Sequence, residues 1–260
     1  MSDTESIKLR FEGVTKVLGG QAVLDGIDLA VRTGETLAIV GSSGAGKSVT
    51  LKHMVRLMSP DTGRVFVDDD CISEASGAEL ERLRARFGYL FQGGALLAWL
   101  SVFENVALPL REQAELDDAA IAERVHQTLA MVGLEDAGDK RPAEISGGMR
   151  KRAGLARAIV TKPGIILYDE PTSGLDPVSS RMIDALIDRL RQELNVTSVV
   201  VTHDLHSALS IGSRIAMLDG GRIVELADPD ALIRSDNQHV KDFLSSQFIT
   251  TEGSWERTDT

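Results

Sequence analysis

The sequence predicts an α/β protein, because buried-strand patterns alternate with helical ones along the chain. Three short stretches, at residues 37–40, 165–168 and 198–201, are almost entirely apolar, and each runs at once into glycine or polar residues. Strands that are apolar on both faces are typical of parallel sheets. Residues 121–132 and 182–194 instead repeat apolar side chains at helical spacing. Together these patterns favour the α/β class.

Antiparallel strands are predicted at two places. Residues 7–11 and 27–31 alternate apolar and polar side chains, which indicates half-buried strands near the N-terminus. Residues 214–218 and 222–226 flank an Asp-Gly-Gly turn, which is a hairpin signal. The antiparallel element near the N-terminus therefore adds to the parallel strands rather than replacing them.

The stretch at 93–145 has helical patterns and no clear buried strand, so it is predicted to be a helical insertion. Asp117 and Gly133 are the expected cap and stop of one of its helices. From residue 235 the chain becomes polar, and residues 250–260 are expected to be frayed. Four apolar residues recur there at helical spacing: Val240, Phe243, Leu244 and Phe248. They either pack on their own domain or reach a second copy of the chain.

Composition restricts the class of partner. The 260 residues carry 28 basic and 39 acidic side chains, a net charge of −11, which argues against nucleic-acid binding and against direct attachment to an anionic membrane. The single cysteine, Cys71, excludes an internal disulfide and is expected to be a small hydrophobe. Residues 1–10 lack the features of a signal peptide, and the longest apolar run, 95–100, is far below the ~18 residues of a membrane span. A soluble, cytoplasmic chain is expected.

A glycine-rich segment follows the first apolar strand. Residues 41–48 satisfy the pattern G-x-x-x-x-G-K-[ST] at every position, and an apolar-periodic helix is predicted after it over 51–58. In such a loop, backbone N–H groups at a helix N-terminus surround phosphates. Lys47 is expected to reach the β- and γ-phosphates and Ser48 to bind Mg²⁺. The predicted phosphate-binding residues are Gly41, Ser42, Ser43, Gly44, Ala45, Gly46, Lys47 and Ser48.

The second apolar strand ends in two carboxylates, Asp169 and Glu170. Asp169 suits the shell of a magnesium ion through water, and Glu170 suits the positioning of an attacking water in phosphoryl transfer. Taken alone, the pair is equally well explained as solvated acids at a strand end.

A third segment, at 146–149, reads Ser-Gly-Gly-Met. A serine hydroxyl and exposed amides at a helix N-terminus suit an anion, although a plain helix cap has the same sequence. Asp169 follows after 169 − 146 = 23 residues. Together with the glycine-rich loop and the Asp-Glu strand, this segment resembles the signature motif of the ATP-binding cassette (ABC) ATPases. Its residues are Ser146, Gly147, Gly148 and Met149.

Three more segments extend the resemblance over residues 7–232. His203 follows Asp169 by 203 − 169 = 34 residues and resembles the switch histidine that contacts the γ-phosphate. Gln92 resembles the Q-loop glutamine, which senses Mg²⁺ and water. A further segment resembles the D-loop, which crosses the dimer seam in that family: Ser173, Gly174, Leu175 and Asp176.

The resemblance implies a RecA-like P-loop ABC ATPase core with an N-terminal antiparallel β subdomain and a helical subdomain insertion. The antiparallel subdomain and the first part of the core are expected in 1–92, and the helical subdomain in 93–145. The signature helix and the rest of the core are expected in 146–234, and a C-terminal tail in 235–260.

The same resemblance implies ATP and Mg²⁺ as ligands. Two copies of the chain would hold two ATP molecules, with the glycine-rich loop of one copy facing the signature of the other. The implied catalytic residues are Glu170, His203 and Gln92. The implied metal-binding residues are Ser48, Gln92 and Asp169, the last through water.

Two positions depart from the family pattern. Leu18 occupies the slot in which many members stack an aromatic residue on adenine, so a contact without π-stacking is implied. Met149 stands where glutamine or glutamate is usual. Together with the basic cluster 150–152 and the segments 91–97 and 102–112, it resembles the ATPases of Mla/Mce-type lipid transporters. On its own, the basic cluster would be a solvated helix face.

This narrower resemblance implies phospholipid transport between membranes. The implied partners are an integral-membrane permease and an Mce-type lipid-binding protein, with the chain held at the cytoplasmic face of the inner membrane. Two alternatives remain: an importer ATPase for a small polar solute such as an amino acid, and a soluble ABC ATPase without transport. The apolar run 95–100 distinguishes them, because it should be buried in the helical subdomain when there is no membrane partner.

Overall fold

The computed structural model describes residues 6–247 and 249, which form two compact units. The first unit combines residues 6–84 with the described chain from Thr197 onward. The second unit is Ala85–Val196. None of the described helices is both long enough and apolar enough to cross a bilayer.

Strands and helices alternate as the α/β class requires. The described strands are β1 (Ile7–Leu18), β2 (Gln21–Arg32), β3 (Thr36–Val40), β4 (Thr62–Val67), β5 (Asp70–Cys71), β6 (Phe87–Leu90), β7 (Ile165–Asp169), β8 (Thr197–Thr202), β9 (Arg214–Asp219) and β10 (Arg222–Ala227). The described α-helices are α1 (Lys47–Met54), α2 (Gly77–Arg84), α3 (Val102–Gln113), α4 (Asp118–Met131), α5 (Gly147–Ile159), α6 (Pro177–Leu194), α7 (Leu205–Ile211), α8 (Pro229–Ile233) and α9 (Gln238–Ser246).

The first unit contains an antiparallel sheet with strand order β2-β1-β4-β5. Phe11 lies opposite Leu29 of β2 and Val65 of β4, so the predicted N-terminal antiparallel element is confirmed. Strand β4 was not predicted, because its first half is Thr-Gly-Arg and only Val65 and Val67 of its residues are buried. Its place in the sheet depends on pairing with β1.

The first unit also contains strands in the order β10-β9-β3-β8, of which β9, β3 and β8 are parallel. All residues of β3 and β8 are buried, as their apolar sequences predict. Strand β10 returns antiparallel to β9 through Gly220 and Gly221, which confirms the predicted hairpin. One face of β3 contacts α7, and the buried Val240 and Leu244 of α9 belong to the same apolar cluster.

The second unit pairs β6 with β7 in parallel and packs α3, α4 and α6 against α5. Residues 93–145 contain α3, α4 and short 3₁₀ turns and no strand, as predicted. Asp117 caps α4 by accepting a hydrogen bond from the Ala120 N–H at 2.8 Å. Gly133 follows that helix with φ 64°, a conformation that suits glycine at a helix end.

The helix after the glycine-rich loop is shorter than predicted. Apolar periodicity extends to Met58, but α1 ends at Met54. Arg56 has φ 50°, and the N–H groups of Leu57 and Met58 both donate to the Lys52 carbonyl. A left-handed residue closes the helix there, ahead of Pro60. At the other end of the chain, α9 ends at Ser246, and Phe248 and 250–260 lie outside the described residues.

Candidate nucleotide-binding and catalytic site

The glycine-rich loop joins β3 to α1 in the first unit. Gly46 caps α1 with φ 103° and supplies no side-chain cap, so the start of this helix suits an anion, which amides at a helix N-terminus attract. A Cβ on Gly46 would lie 2.7 Å from the Val23 carbonyl oxygen of β2. A Cβ on Gly41 would lie 2.2 Å from the Leu218 carbonyl oxygen of β9. Both glycines are required because neighbouring backbone passes too close for a side chain.

Lys47 lies inside this loop and is only 7% exposed. Its ammonium group donates to the Gly41 carbonyl oxygen at 2.8 Å and to the Ser42 carbonyl oxygen at 3.0 Å. The loop therefore curls around its own lysine, which places a positive charge beside the helix N-terminus. Both features attract phosphate.

Strand register brings His203 beside the glycine-rich loop. Strands β3 and β8 are parallel neighbours, and Val40 pairs with Thr202. Gly41 and His203 therefore follow the carboxyl ends of adjacent strands, where ligands bind in open α/β sheets. His203 is exposed, and the next residue, Asp204, caps α7 by accepting from the His206 and Ser207 N–H groups. Leu18 is the last residue of β1 and is 39% exposed.

The second unit brings Gln92 and the two carboxylates to one edge. Strands β6 and β7 are parallel, with Leu90 paired to Tyr168, so Gln92, Asp169 and Glu170 lie at their carboxyl ends. The Tyr89 hydroxyl lies 3.4 Å from a carboxylate oxygen of Asp169. Burial, together with the charge of Asp169, raises the pKa of Tyr89, which stays a neutral donor.

Glu170 has an unusual backbone conformation. Its φ is 50°, in the left-handed region that residues other than glycine rarely adopt. Its carbonyl oxygen accepts from the Lys151 ammonium at 2.8 Å and from the Ser173 N–H at 3.3 Å. Only 9% of the residue is exposed. These contacts hold the backbone from which the carboxylate projects.

The basic cluster 150–152 is not a solvated face, so that interpretation was wrong. Lys151 is 4% exposed. Arg150 donates to the Ile145 carbonyl at 2.7 Å, and Arg152 donates to the Gly133 carbonyl at 2.7 Å. The run of three cations carried no sequence signal for burial, because the carbonyls that meet Lys151 and Arg152 are distant in the chain.

The loop after Gln92 is fastened to α5. Arg157 donates to the carbonyl oxygens of Gly94 at 3.0 Å and Ala95 at 2.9 Å. A Cβ on Gly154 would lie 2.9 Å from the Gly94 Cα. The exposed Gln92 thus begins a turn whose far end is fixed to the signature helix. Sequence reasoning did not identify Arg157.

The signature and D-loop segments lie together in the second unit. Ser146 caps α5 by accepting from the Met149 N–H at 3.2 Å, and a Cβ on Gly147 would lie 3.5 Å from the Leu175 side chain. Asp176 caps α6 and accepts from the Ser179 hydroxyl at 2.5 Å and its N–H at 3.0 Å. These hydrogen bonds lower the pKa of Asp176, so it stays ionised at neutral pH.

The apolar run 95–100 is not core. Trp99 is 71% exposed, and Ala95 and Ala98 are exposed as well, so these residues lack the burial that was expected of the run in the absence of a membrane partner. Leu96, Leu97 and Leu100 are half-buried. The result is a protruding apolar segment that begins three residues after Gln92.

Residues 24–173 match the ABC transporter family. The chain belongs to this family. The match contains the glycine-rich loop, the signature and the Asp-Glu strand end. A dimeric ATP-binding cassette in a post-hydrolysis state, bound to ADP and phosphate, has the same fold, with a TM-score of 0.78 and 32% identity over 85% of this chain and 98% of that one. The chain is an ABC transporter ATPase.

Relatives in the family carry different cargo names. The chain is 39% identical over 253 residues to a probable ribonucleotide transport ATP-binding protein (mkl) of Mycobacterium tuberculosis, covering 97% of this chain and 70% of that protein. It is 38% identical over 239 residues to the intermembrane phospholipid transport system ATP-binding protein MlaF of Haemophilus influenzae, covering 92% and 90%. It is 41% identical over 217 residues to the methionine import ATP-binding protein MetN of Rhizobium johnstonii, covering 84% and 60%.

Proposed function

We propose that this ABC ATPase powers the movement of phospholipid between membranes. Phospholipid is proposed as the cargo because of the similarity to MlaF. That similarity extends over 90% of MlaF, whereas the similarity to MetN covers 60% of the length of MetN. Met149 in the signature and the segments around Gln92 and Glu104 give the same indication, because they resemble the Mla/Mce type.

The chain's own residues supply the hydrolytic chemistry. Lys47 and the loop amides bind the phosphates, and Glu170 positions the attacking water. Gln92 senses the water and the metal, and His203 contacts the γ-phosphate. Each is held in place: Lys47 by loop carbonyls, Glu170 through its backbone, and His203 by the end of β8.

Magnesium fits the donors that these residues offer. Ser48, Gln92 and Asp169 present hydroxyl, amide and carboxylate oxygens, which are the ligands that Mg²⁺ prefers, and Asp169 acts through water. A bound ion would neutralise charge on the transferred phosphate. Leu18 offers the adenine an apolar contact.

Two copies of the chain form the working unit. The exposed Ser146, at the N-terminus of α5, faces the nucleotide of the partner copy, and the neighbouring D-loop lies at the seam between them. Hydrolysis removes the γ-phosphate that both copies contact, so the pair then opens.

The protruding segment 95–100 docks the integral-membrane permease. Trp99, 71% exposed, lies in one run with the exposed Ala95 and Ala98 and half-buried leucines, and contiguous exposed apolar residues mark interaction sites. This contact holds the chain at the cytoplasmic face of the inner membrane, and an Mce-type lipid-binding protein completes the complex.

The role of Glu170 is tested by Glu170→Gln. We expect ATP binding to be kept and hydrolysis to slow by at least about 100-fold, because the base that positions water is lost. Single-turnover hydrolysis of labelled ATP measures the rate. Glu193→Gln, an exposed change on α6, is the matched control and should behave like the parent. Hydrolysis at the parent rate by Glu170→Gln would remove Glu170 from this role.

The cargo is tested by recovering partners. Tagged Glu170→Gln, arrested with ATP, is purified from detergent-solubilised native membranes, and bound proteins and lipids are identified by mass spectrometry. A small permease, an Mce-type protein and phospholipid are expected. Trp99→Ser should fail to recover the permease while still binding ATP.

Transport of a small polar solute is the second candidate, favoured by the names of the mkl and MetN relatives. Recovery of a solute permease without lipid would establish it. Recovery of soluble partners alone would indicate an ABC ATPase without transport, for which the exposure of Trp99 has no explanation.

A further inference from the structure

Lys151 is buried in the second unit, although its sequence neighbourhood is strongly basic. It lies on α5, five residues after the cap Ser146, and is 4% exposed. A buried ammonium group is costly unless a partner compensates the loss of water. The identity of that partner therefore indicates why the charge is placed there.

The partner is the backbone of Glu170. The Lys151 ammonium donates to the Glu170 carbonyl oxygen at 2.8 Å, and that oxygen also accepts a longer hydrogen bond, 3.3 Å, from the Ser173 N–H. A charged donor makes a stronger hydrogen bond than a neutral amide. Lys151 is thus the stronger of these two restraints on the Glu170 carbonyl group.

The restraint acts where the backbone is strained. Glu170 has φ 50°, which costs energy for any residue with a Cβ and persists only when its surroundings enforce it. The direction of the Glu170 carboxylate is set by that backbone, because the side chain starts from the same Cα. Without the bond to the carbonyl, the residue is free to relax toward negative φ and its carboxylate to swing away.

The charge of Lys151 faces both acids at the strand end. Burial lowers the pKa of Lys151, and the negative charges of Glu170 and Asp169 oppose that shift. The ammonium group therefore lies close enough to both carboxylates to interact with them electrically.

We infer that Lys151 is a positioning residue for ATP hydrolysis, which holds Glu170 in its left-handed conformation and so aims the carboxylate. This role rests on the proposed part of Glu170 in orienting water. Because Lys151 and Ser146 share α5, the helix that would meet the partner copy's nucleotide also holds the residue that would direct the water. Contact of Ser146 with the partner copy's nucleotide would thereby affect the position of Glu170 through α5 and Lys151.

The test separates turnover from binding. Lys151→Met keeps the aliphatic stem and removes the charge and the donor. We expect kcat to fall by about 10-fold or more, because a misplaced Glu170 carboxylate positions the attacking water poorly. The KM for ATP should change less than about twofold, because Lys151 does not contact the nucleotide in this proposal. Lys151→Arg, which keeps a charged donor, should recover part of the lost kcat.

The matched control is Arg152→Met on the next residue of α5. It also removes a cation that donates to backbone carbonyls, those of Val132 and Gly133, but those contacts do not involve Glu170. Thermal unfolding of all variants is followed by circular dichroism. Parent kcat in folded Lys151→Met, or equal losses of kcat in Lys151→Met and Arg152→Met, would overturn the positioning role. If Lys151→Met does not fold, Lys151→Gln takes its place, and its loss of kcat is compared with that of Arg152→Met in the same way.

Combination with Glu170→Gln distinguishes the two hypotheses. If Lys151 acts through Glu170, adding Lys151→Met to Glu170→Gln should slow hydrolysis no further. An additional 10-fold loss would show that Lys151 acts elsewhere. An active Glu170→Gln would overturn the proposed role of Glu170 itself, whereas an inactive Glu170→Gln with a normal Lys151→Met would overturn only the inference about Lys151.

Discussion

At the scale of single residues, the phosphate loop depends on groups that have no substitutes. Gly41 and Gly46 lie against backbone carbonyls of β9 and β2, and Lys47 is buried between loop carbonyls that it also holds in place. The same lysine that would bind phosphate thus preserves the loop's shape. Any side chain at Gly41 or Gly46 would clash with these carbonyls. At position 47, a neutral side chain could not replace the positive charge.

Lys47→Ala tests that double use. We expect ATP affinity to fall by at least about 100-fold, because charge-assisted hydrogen bonds to phosphate are lost. Lys52→Ala, on the same helix and half-buried, should bind ATP like the parent. Equilibrium binding of a fluorescent ATP analogue measures both. Retained affinity in Lys47→Ala would show that the loop amides suffice.

At the scale of elements, α3 organises the protruding segment before it. Ser101 and Glu104 form a reciprocal capping box at its start. The buried Asn105 side chain accepts from the Leu97 N–H at 2.7 Å and donates to the carbonyls of Leu97, Leu100 and Ser101. One amide therefore bonds to several backbone groups of an irregular stretch, in which the Leu100 N–H also donates to the Leu97 carbonyl at 3.2 Å.

Asn105→Ala should destabilise the protein by about 3 kcal/mol, because it leaves buried backbone groups unpaired. Urea unfolding gives the free energy of unfolding. Gln113→Ala, exposed at the end of the same helix, should cost well under about 1 kcal/mol. A small effect of Asn105→Ala would show that water replaces the amide.

His53 gives α1 a pH-dependent contribution to stability. It is 1% exposed, and burial lowers its pKa below the ordinary value of 6.5, as does the charge of Lys16, while Asp61 opposes the shift. The unfolded chain therefore binds the proton more readily than the folded one. His53 contributes fully above pH 6.5, and its contribution is lost as the pH falls through its folded-state pKa. His53→Gln should flatten the fall in melting temperature between about pH 7 and 5, whereas the exposed His206→Gln should leave the slope unchanged.

At the scale of the whole molecule, the C-terminal helix α9 completes the first unit. Val240 is 1% exposed and Leu244 is 5% exposed, within a cluster that includes residues of β3, α7 and β9. This packing on its own domain was one of the two explanations of the C-terminal apolar spacing. These buried contacts explain the apolar character of Val240 and Leu244 without a second copy of the chain. Contact of the remaining residues of α9 with a second copy is a separate hypothesis.

Val240→Ala and Leu244→Ala should each destabilise the first unit by about 2 to 4 kcal/mol, the cost of opening a cavity in a packed core. Differential scanning calorimetry measures the change. Asp242→Ala, exposed on the same helix, is the control and should leave unfolding unchanged. Unchanged unfolding in Val240→Ala and Leu244→Ala would mean that α9 is dispensable for the fold. It would then favour the other explanation, contact of α9 with a second copy of the chain.

Local rules sufficed where a motif carries its own geometry. The glycine-rich loop requires a strand before it and a helix N-terminus after it, and both could be predicted from apolar patterns alone. Asp169, Glu170 and His203 follow apolar strands, so their position at strand ends was predictable as well. The loop and the strand-end positions depend on residues that are neighbours in the chain, so they can be predicted from the sequence.

Only the tertiary structure decided the contacts between distant segments. Strand β4 exists through pairing with β1, and α1 stops at Met54 although its apolar pattern continues. Lys151 is buried and Arg157 half-buried because carbonyls of Glu170 and Gly94 meet them, and Trp99 is exposed because nothing in the described chain covers it. A sequence states what each side chain can do. Which backbone oxygen a cation meets, and which apolar side chain is left uncovered, depends on how the whole chain packs.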